Sequence, residues 1–332
     1  MRTITMMLSG CLMTVLAATA VASSGKGDWR KRIPECGKDT KVVKLVDYDE
    51  DTSAAGGAPI RIVTFKEKKR KGCWIDVQDL HPTQSAVGMG AAACKSGKIT
   101  RKAKDGKLSD WLLEDNRWVP LVRGPGGKFY LTDHHHLSTA VLNADIPDKH
   151  KRLYAYVLKD WSGMKEDAFW KSMEKENLTW LKSPDGQPIT PQDLPSKIDE
   201  LRDDPLRTLS AWVRSSCGYV KCNPPGVTDD DSAETCAGRL SDVDCASAFF
   251  VEFKWAAHHA TVPEVQSAIA EGVACSQQVP LNHACLDGQR EKLAKVLPAA
   301  MKAAAAPGAQ AFVGKGAGYN PKPQQGVVPP CE

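Results

Sequence analysis

The sequence predicts an α+β protein, and three observations carry that reading. Strand-like alternation is gathered in the first 132 residues and closes in a strand, a Gly/Pro turn and a returning strand at 119–132. Beyond residue 133 the apolar spacing becomes helical for most of the chain. Eleven cysteines punctuate the 332 residues, a density that implies cross-links within the fold.

The N-terminus reads as a secretory signal spanning 1–22. Arg2 supplies a positive start, Met6 to Leu16 is mostly apolar, and Ala20-Val21-Ala22 is a small-x-small cleavage site. Leu8-Ser9-Gly10-Cys11 competes as a lipoprotein box, but few residues precede Cys11 and the apolar run continues past it. The run is too short for a membrane span, and no later stretch is long enough. An exported protein, periplasmic or extracellular, is therefore expected. With Cys11 removed, the cysteine count is even, which favours disulfides in an exported chain. Local pairs such as Cys236–Cys245 and Cys275–Cys285 would staple short loops. No C-x-x-C pair occurs, so a zinc site is a weak rival. The formal net charge of +4 does not by itself mark a nucleic-acid binder. The basic runs Lys66–Lys71 and Lys95–Lys107 read as solvated loops.

Taken in order, residues 23–59 form an N-terminal segment and linker, with a possible strand at 41–46 and the SAAGGAP turn at 53–59. Ile60 to Phe65 alternates as a strand, and Cys73 to Val77 is a second. Ser109 is placed to cap a short helix through Trp118, with Trp111, Leu112 and Leu113 on its buried side. Val119–Val122, the turn Arg123–Lys128 and the strand Lys128–Thr132 make a hairpin. Asp133 follows where an N-cap belongs, and Leu137, Ala140, Val141 and Ala144 continue at helical spacing. Lys165–Leu181 is an amphipathic helix. Asp204-Pro205 opens a helix over Leu206–Ser215 that Gly218 stops. A Cys-rich excursion occupies 217–245. Helices are expected over 245–259, after Thr261-Val262-Pro263-Glu264, and from an Asp287 cap to about 305. The Gly/Pro-rich tail from Pro307 reads as extended.

The sharpest feature is VPLVRGPGGKFYLTDHHHLSTAVL, a hairpin feeding a helix whose first turn carries Asp133, His134, His135 and His136. A helix N-terminus offers free N–H groups and the positive end of a dipole, and so favours anions, phosphate above all. Histidine adds a group that titrates near neutral pH. Three consecutive histidines cannot all ligate one metal from a helix, because their side chains diverge by about 100°; a metal would instead need His134 with His258 or His259. The plain structural alternative is Asp133 as a cap and the histidines as packing.

This segment resembles the ParB/sulfiredoxin-like superfamily, in which a strand leads to a short phosphate-gripping motif that opens a helix. ParB proteins carry a GERR-like motif there, sulfiredoxins GCHR, and related serine kinases DGHHR. DHHHL stands at the same place, with Asp133 at the Asp position, His134 at the Gly, His135 at the Glu, Cys or first His, His136 at the Arg or second His, and Leu137 at the closing Arg. HPTQSAVG at 81–88 is similar to the first box of the putative ParB-like nuclease family. DPLRTLSAWVR at 204–214 resembles its later helix, and FFVEFKW at 249–255 its closing helix. The resemblance covers about 74–260 and implies a small mixed sheet with packed helices, in a ParB-like domain over 60–260. A helical C-terminal extension and tail would then fill 261–332.

What the resemblance implies for chemistry is a nuclease-like phosphodiesterase. His135, His136 and Glu252 are the candidate catalytic residues. Asp133, His134, Arg207, Arg214, Lys254 and Gln84 are the candidate phosphate ligands. Arg207 and Arg214 would replace the closing arginine that Leu137 lacks. The absence of cysteine at 135 sets sulfiredoxin chemistry aside. The cofactor is unassigned, with a divalent metal left open, and the partner is a phosphate-containing ligand such as nucleic acid. No membrane span and no protein partner are predicted. The alternatives are a small-molecule phosphotransferase and a non-catalytic envelope binding protein. Plain readings stand beside these: Thr83 and Gln84 as loop-shaping residues, Glu252 and Lys254 as an exposed charged pair, and the arginines as surface groups.

Overall fold

Residues 152–160, RLYAYVLKD, form the longest strand of the protein, and all but its ends are buried. A run this continuously apolar suits a strand covered on both faces. In the structure, a computed structural model that describes residues 33–43, 72–114, 117–220, 250–275, 280–314 and 317–320, this strand organises a five-stranded mixed sheet. The strands are β1 (Cys73–Asp76), β2 (Leu80–Pro82), β3 (Ala86–Val87), β4 (Val119–Arg123), β5 (Phe129–Leu131), β6 (Arg152–Asp160) and β7 (Arg202–Asp203). The large sheet runs β1-β6-β4-β5-β2. β6 is antiparallel to β1 and parallel to β4, β4 is antiparallel to β5, and β5 is parallel to β2. β3 and β7 pair separately in parallel. β2, β3, β6 and β7 have no counterpart among the sequence expectations.

The helices are α1 (Met89–Lys104), α2 (Leu108–Leu112), α3 (His135–Asn143), α4 (Glu166–Lys175), α5 (Pro205–Ser215), α6 (Val251–His259), α7 (Pro263–Ala270), α8 (His283–Ala304) and α9 (Pro307–Val313). The α+β class is thus observed, with the hairpin at β4–β5 and α3 directly after it.

Several local expectations are corrected. The basic stretch from Lys95 is not a loop: Met89, Ala92, Ser96 and Ile99 bury one face at helical spacing and make it α1. α2 ends at Leu112, with Lys107 as N-cap and Ser109 inside it; Trp111, Leu112 and Leu113 are buried as expected. α4 stops at Lys175, and Asn177 turns the chain at φ 52°, so Leu181 lies outside the helix. Asn282, whose side chain accepts from Cys285 N, caps α8 in place of Asp287, whereas α7 opens within Thr261-Val262-Pro263-Glu264 as expected, with Val262 at the N-cap. The tail is not extended at its start, because Pro307 opens α9. The expected cap by Asp204 is present: its side chain accepts from Leu206 N and Arg207 N.

Two apolar cores result. One joins β1, β2, β4, β5 and β6 to α1, α2 and α3. The other is built from α5 to α9 around Trp212, Tyr219 and Trp255. α5 packs on α1, α6 and α8, so it lies at the seam between them. Cys275–Cys285 is closed, as the spacing suggested, and Cys36–Cys73 ties the segment at 33–43 to β1. Every cysteine among the described residues is disulfide-bonded. The signal segment, the strand at 60–65, Cys236–Cys245 and residues 245–249 lie outside the described residues. Among the described residues no helix is long and apolar enough to cross a membrane.

Candidate functional site at the first turn of the third helix

β5 delivers the chain to α3 at the seam between the two cores. The turn differs from the expected geometry by one residue. His134, at φ 66°, is the N-cap, and the helix begins at His135. Asp133 Oδ1 accepts from the amide of His134 at 2.6 Å, not from 135 or 136 as a conventional cap would. The left-handed residue shifts the helix start by one position, so the amide that meets Asp133 Oδ1 is that of His134. Ser138 N donates to His134 O, so the amides of 135, 136 and 137 precede the first intrahelical bond.

The loop between β2 and β3 is bolted to this turn by two backbone amides. Thr83 N donates to His135 Nε2 at 3.3 Å, and Gly88 N donates to His136 Nε2 at 3.2 Å. Each ring accepts at Nε2, so each is neutral with its proton on Nδ1. His135 is buried and also bonds the backbone of Leu131. Burial holds its pKa down to about 3, with the Arg207 charge adding to the effect and Asp133 opposing it. His136 is held well below its ordinary value, first by burial and then by Arg207, while Glu252 pulls upward and Lys95 and Arg214 push down. The charges around His136 therefore come from α1, α5 and α6.

Arg207 is 3% exposed. Its Nη2 is 3.9 Å from Glu252 Oε2, and Arg214 Nη1 donates to Glu252 Oε1 at 2.7 Å. One carboxylate is shared by two guanidinium groups, which leaves the trio with a net positive charge. Arg207 Nε and Nη1 have no hydrogen-bond partner among the described residues. A buried guanidinium with two unspent donors is costly unless a ligand satisfies it.

The remaining candidates are placed less centrally. Gln84 is buried and donates to Ala86 O at 2.7 Å, which shapes the loop leading to Gly88. Lys254 is half-buried on α6, with its pKa lowered by burial, and makes no ion pair among the described residues. Glu252 is buried between the arginines and does not form an exposed pair with Lys254. His258 bonds Ala303 O, and His259 is fully buried in the second core beside Trp255. Among the described residues no three His, Cys, Asp or Glu side chains gather as a metal site.

Three participants were not among the candidate catalytic or phosphate-binding residues. Gly88 fits closely: a Cβ there would lie 2.5 Å from Thr208 N and 2.9 Å from Arg207 C, so its backbone rests on α5 while its amide holds His136. Lys95 reaches the site because α1 starts at the same glycine. Thr83 donates its amide to His135 and its hydroxyl to Leu131 O. Its own carbonyl accepts from Thr179 Oγ1 and Trp180 N. The helical spacing of 89–99 would have revealed Lys95; nothing local marks Gly88 or Thr83 as contacts of α5 and α3.

Residues 73–225 match the model of the family described as Putative ParB-like nuclease. Among solved structures, the chain is similar to protein Atu1540 from Agrobacterium tumefaciens. The likeness has 24% identity and a TM-score of 0.47, over 75% of this chain and 97% of that one. No curated protein matches.

Proposed function

We propose, from the match of residues 73–225 to the putative ParB-like nuclease family, that the protein binds and hydrolyses phosphodiesters at the first turn of α3. The observation that carries this reading is Arg207, whose buried guanidinium has Nε and Nη1 without a partner among the described residues while its charge bears on both His135 and His136. A phosphate there would accept from those donors and from the leading amides of α3. Arg214 and Lys95 add positive charge at His136. This electrostatic set favours the charge that develops on a phosphoryl group in its transition state.

His135, with both nitrogens engaged, holds the loop and is assigned a positioning role. His136 is assigned the proton. His136 is only partly buried, and it gives up the bond from Gly88 N as substrate enters, which frees the Nε2 lone pair. Water attacks phosphorus and loses a proton to His136, the ester P–O bond breaks, and His136 returns that proton to the departing oxygen. Glu252, which already favours the charged form of His136, stabilises the imidazolium between the two transfers. A non-catalytic phosphate-binding role is the second reading. It is favoured by the fact that His136 Nε2 and Glu252 are both engaged in the structure.

Export is proposed alongside, supported by the Ala20-Val21-Ala22 site and the paired cysteines. The test is to isolate the oxidised protein, read its N-terminus by mass spectrometry, and incubate it with DNA, RNA and a small phosphodiester. Each incubation is run with and without divalent metal, beside His136→Ala and Arg207→Ala. Export predicts a start near Ser23. Arg207→Ala should weaken phosphate binding by about 1.5–3 kcal/mol, the range for a hydrogen bond to a charged group. His136→Ala should abolish turnover while leaving binding largely intact. Wild-type phosphate affinity in Arg207→Ala would remove the site, and binding without turnover in the wild type would select the second reading.

A further inference from the structure

An aromatic row leads outward from Arg207. Its guanidinium lies 4.2 Å from the centroid of the Phe253 ring. Phe253 stacks face to face on Trp180, with centroids 4.9 Å apart and planes 18° from parallel. Phe250 adds a second stacked contact to the same indole at 6.2 Å and 29°. The two phenylalanines are buried, but Trp180 is only partly so. Lys182 is exposed, and its Nζ lies 5.2 Å from the Trp180 centroid. Trp180 is held in register with the α3 turn by Thr83: the Thr83 carbonyl accepts from Trp180 N at 2.8 Å, and the Thr83 amide donates to His135.

We propose that the ligand is a single-stranded polynucleotide, with a base stacked on Trp180 and a neighbouring phosphate contacted by Lys182 while another phosphate occupies the α3 turn. This rests on the phosphate reading above and names its substrate class. A small phosphate ester without a base has nothing to place on an indole one ring away from the buried cation, and a nucleoside monophosphate brings a base but no second phosphate for Lys182. A duplex keeps its base faces stacked on one another and offers none to a side chain. A flexible single strand can present both, and the pairing of cations with aromatic faces is how such strands are gripped without sequence preference. The buried phenylalanines hold the indole flat, so the platform costs no ordering when a base arrives.

The test uses the full-length oxidised protein and a fluorescein-labelled oligothymidylate, read by anisotropy. The matching duplex is run in parallel, and inorganic phosphate serves as competitor. The single strand is expected to bind more tightly than the duplex. Trp180→Ala should weaken it by about tenfold, the effect of one lost base–aromatic stack, and by more than it weakens inorganic phosphate. Trp180→Phe should recover most of that loss. Lys182→Ala should lower the salt slope by about 0.7, one phosphate contact on a single strand. Arg207→Ala should weaken both ligands. If Arg207→Ala weakens both but Trp180→Ala leaves the oligonucleotide unaffected, or lowers both ligands equally, the platform is refuted and the phosphate site stands. If Arg207→Ala changes neither, the site and the proposal fall together. Equal duplex affinity, or no oligonucleotide binding, also overturns it.

Discussion

His134 holds a conformation, at φ 66°, that L side chains adopt at a cost of about 1–2 kcal/mol. The ParB-like motifs that this turn resembles place glycine there. His134 is held in this conformation because β5 and the bonds of His135 and His136 to the preceding loop set the direction of the chain on both sides. His134→Gly is therefore expected to raise stability by about 1 kcal/mol in urea unfolding, part of the relief being offset by the freer unfolded chain. His134→Ala keeps the Cβ and should bring no such gain. A His134→Gly protein no more stable than the Ala variant would mean that the turn carries no such cost.

At the scale of elements, the site depends on how closely α5 approaches the loop that starts α1. Gly88 permits that approach, since a methyl group there would press into the Thr208 and Arg207 backbone, which cannot move as a side chain can. Gly88→Ala should destabilise the fold by roughly 1–3 kcal/mol, the usual cost of overpacking. By displacing α5 it should also weaken phosphate binding. Gly97, whose added Cβ would have its nearest contact 3.6 Å away at an arginine side-chain nitrogen, is the control. An unchanged melting temperature and phosphate affinity in Gly88→Ala would show that the contact does not set the spacing. The same junction is buttressed from the C-terminal side. Asp203, beside the α5 cap, accepts from Met89 N, Cys275 N and Gln289 Nε2. Thus α1, the Cys275–Cys285 loop and α8 all meet at the residue before Asp204.

For the molecule as a whole, buried neutral histidines set the response to acid. His135 and His259 are both depressed to about 3, each chiefly by burial, and His259 finds no partner for either ring nitrogen among the described residues. Above pH 6.5 neither the folded nor the unfolded form is protonated and the histidines contribute no pH dependence. Between 6.5 and about 3 only the unfolded chain takes up the proton, so stability falls with falling pH by about 1.4 kcal/mol per unit for each. Asp204 acts in the opposite sense. Burial raises it to about 6, so it is protonated first in the folded state and returns some stability as pH falls toward 4. His259→Leu should stabilise the protein at pH 7, because a buried unsatisfied group is removed. It should also shrink the stability lost between pH 7 and pH 5 by about 2 kcal/mol. An equal loss in wild type and variant, measured by urea unfolding at the two pH values, would exclude His259 as a source of the acid response.

How much of this was legible in the sequence follows from the range of the interactions involved. The β4–β5 hairpin, the helix after Asp133, the Asp204 cap and the Cys275–Cys285 staple were readable, because a Gly/Pro turn, apolar spacing and a short loop act between near neighbours. The motif itself was readable as a resemblance in residue order. Its mode of assembly was not. The amide bonds from Thr83 and Gly88 to His135 and His136 span 52 and 48 residues, and the ion pair of Arg214 with Glu252 spans 38. Periodicity carries no information about which faces meet over such distances. The left-handed cap at His134 likewise came from the surroundings, since nothing in a histidine favours it. The sequence by itself determined which groups are present and which short elements carry them. Only the tertiary structure decided that Arg207 would be buried with donors unspent and that Trp180 would continue its stack. Both outcomes depend on how two separately built cores close against each other.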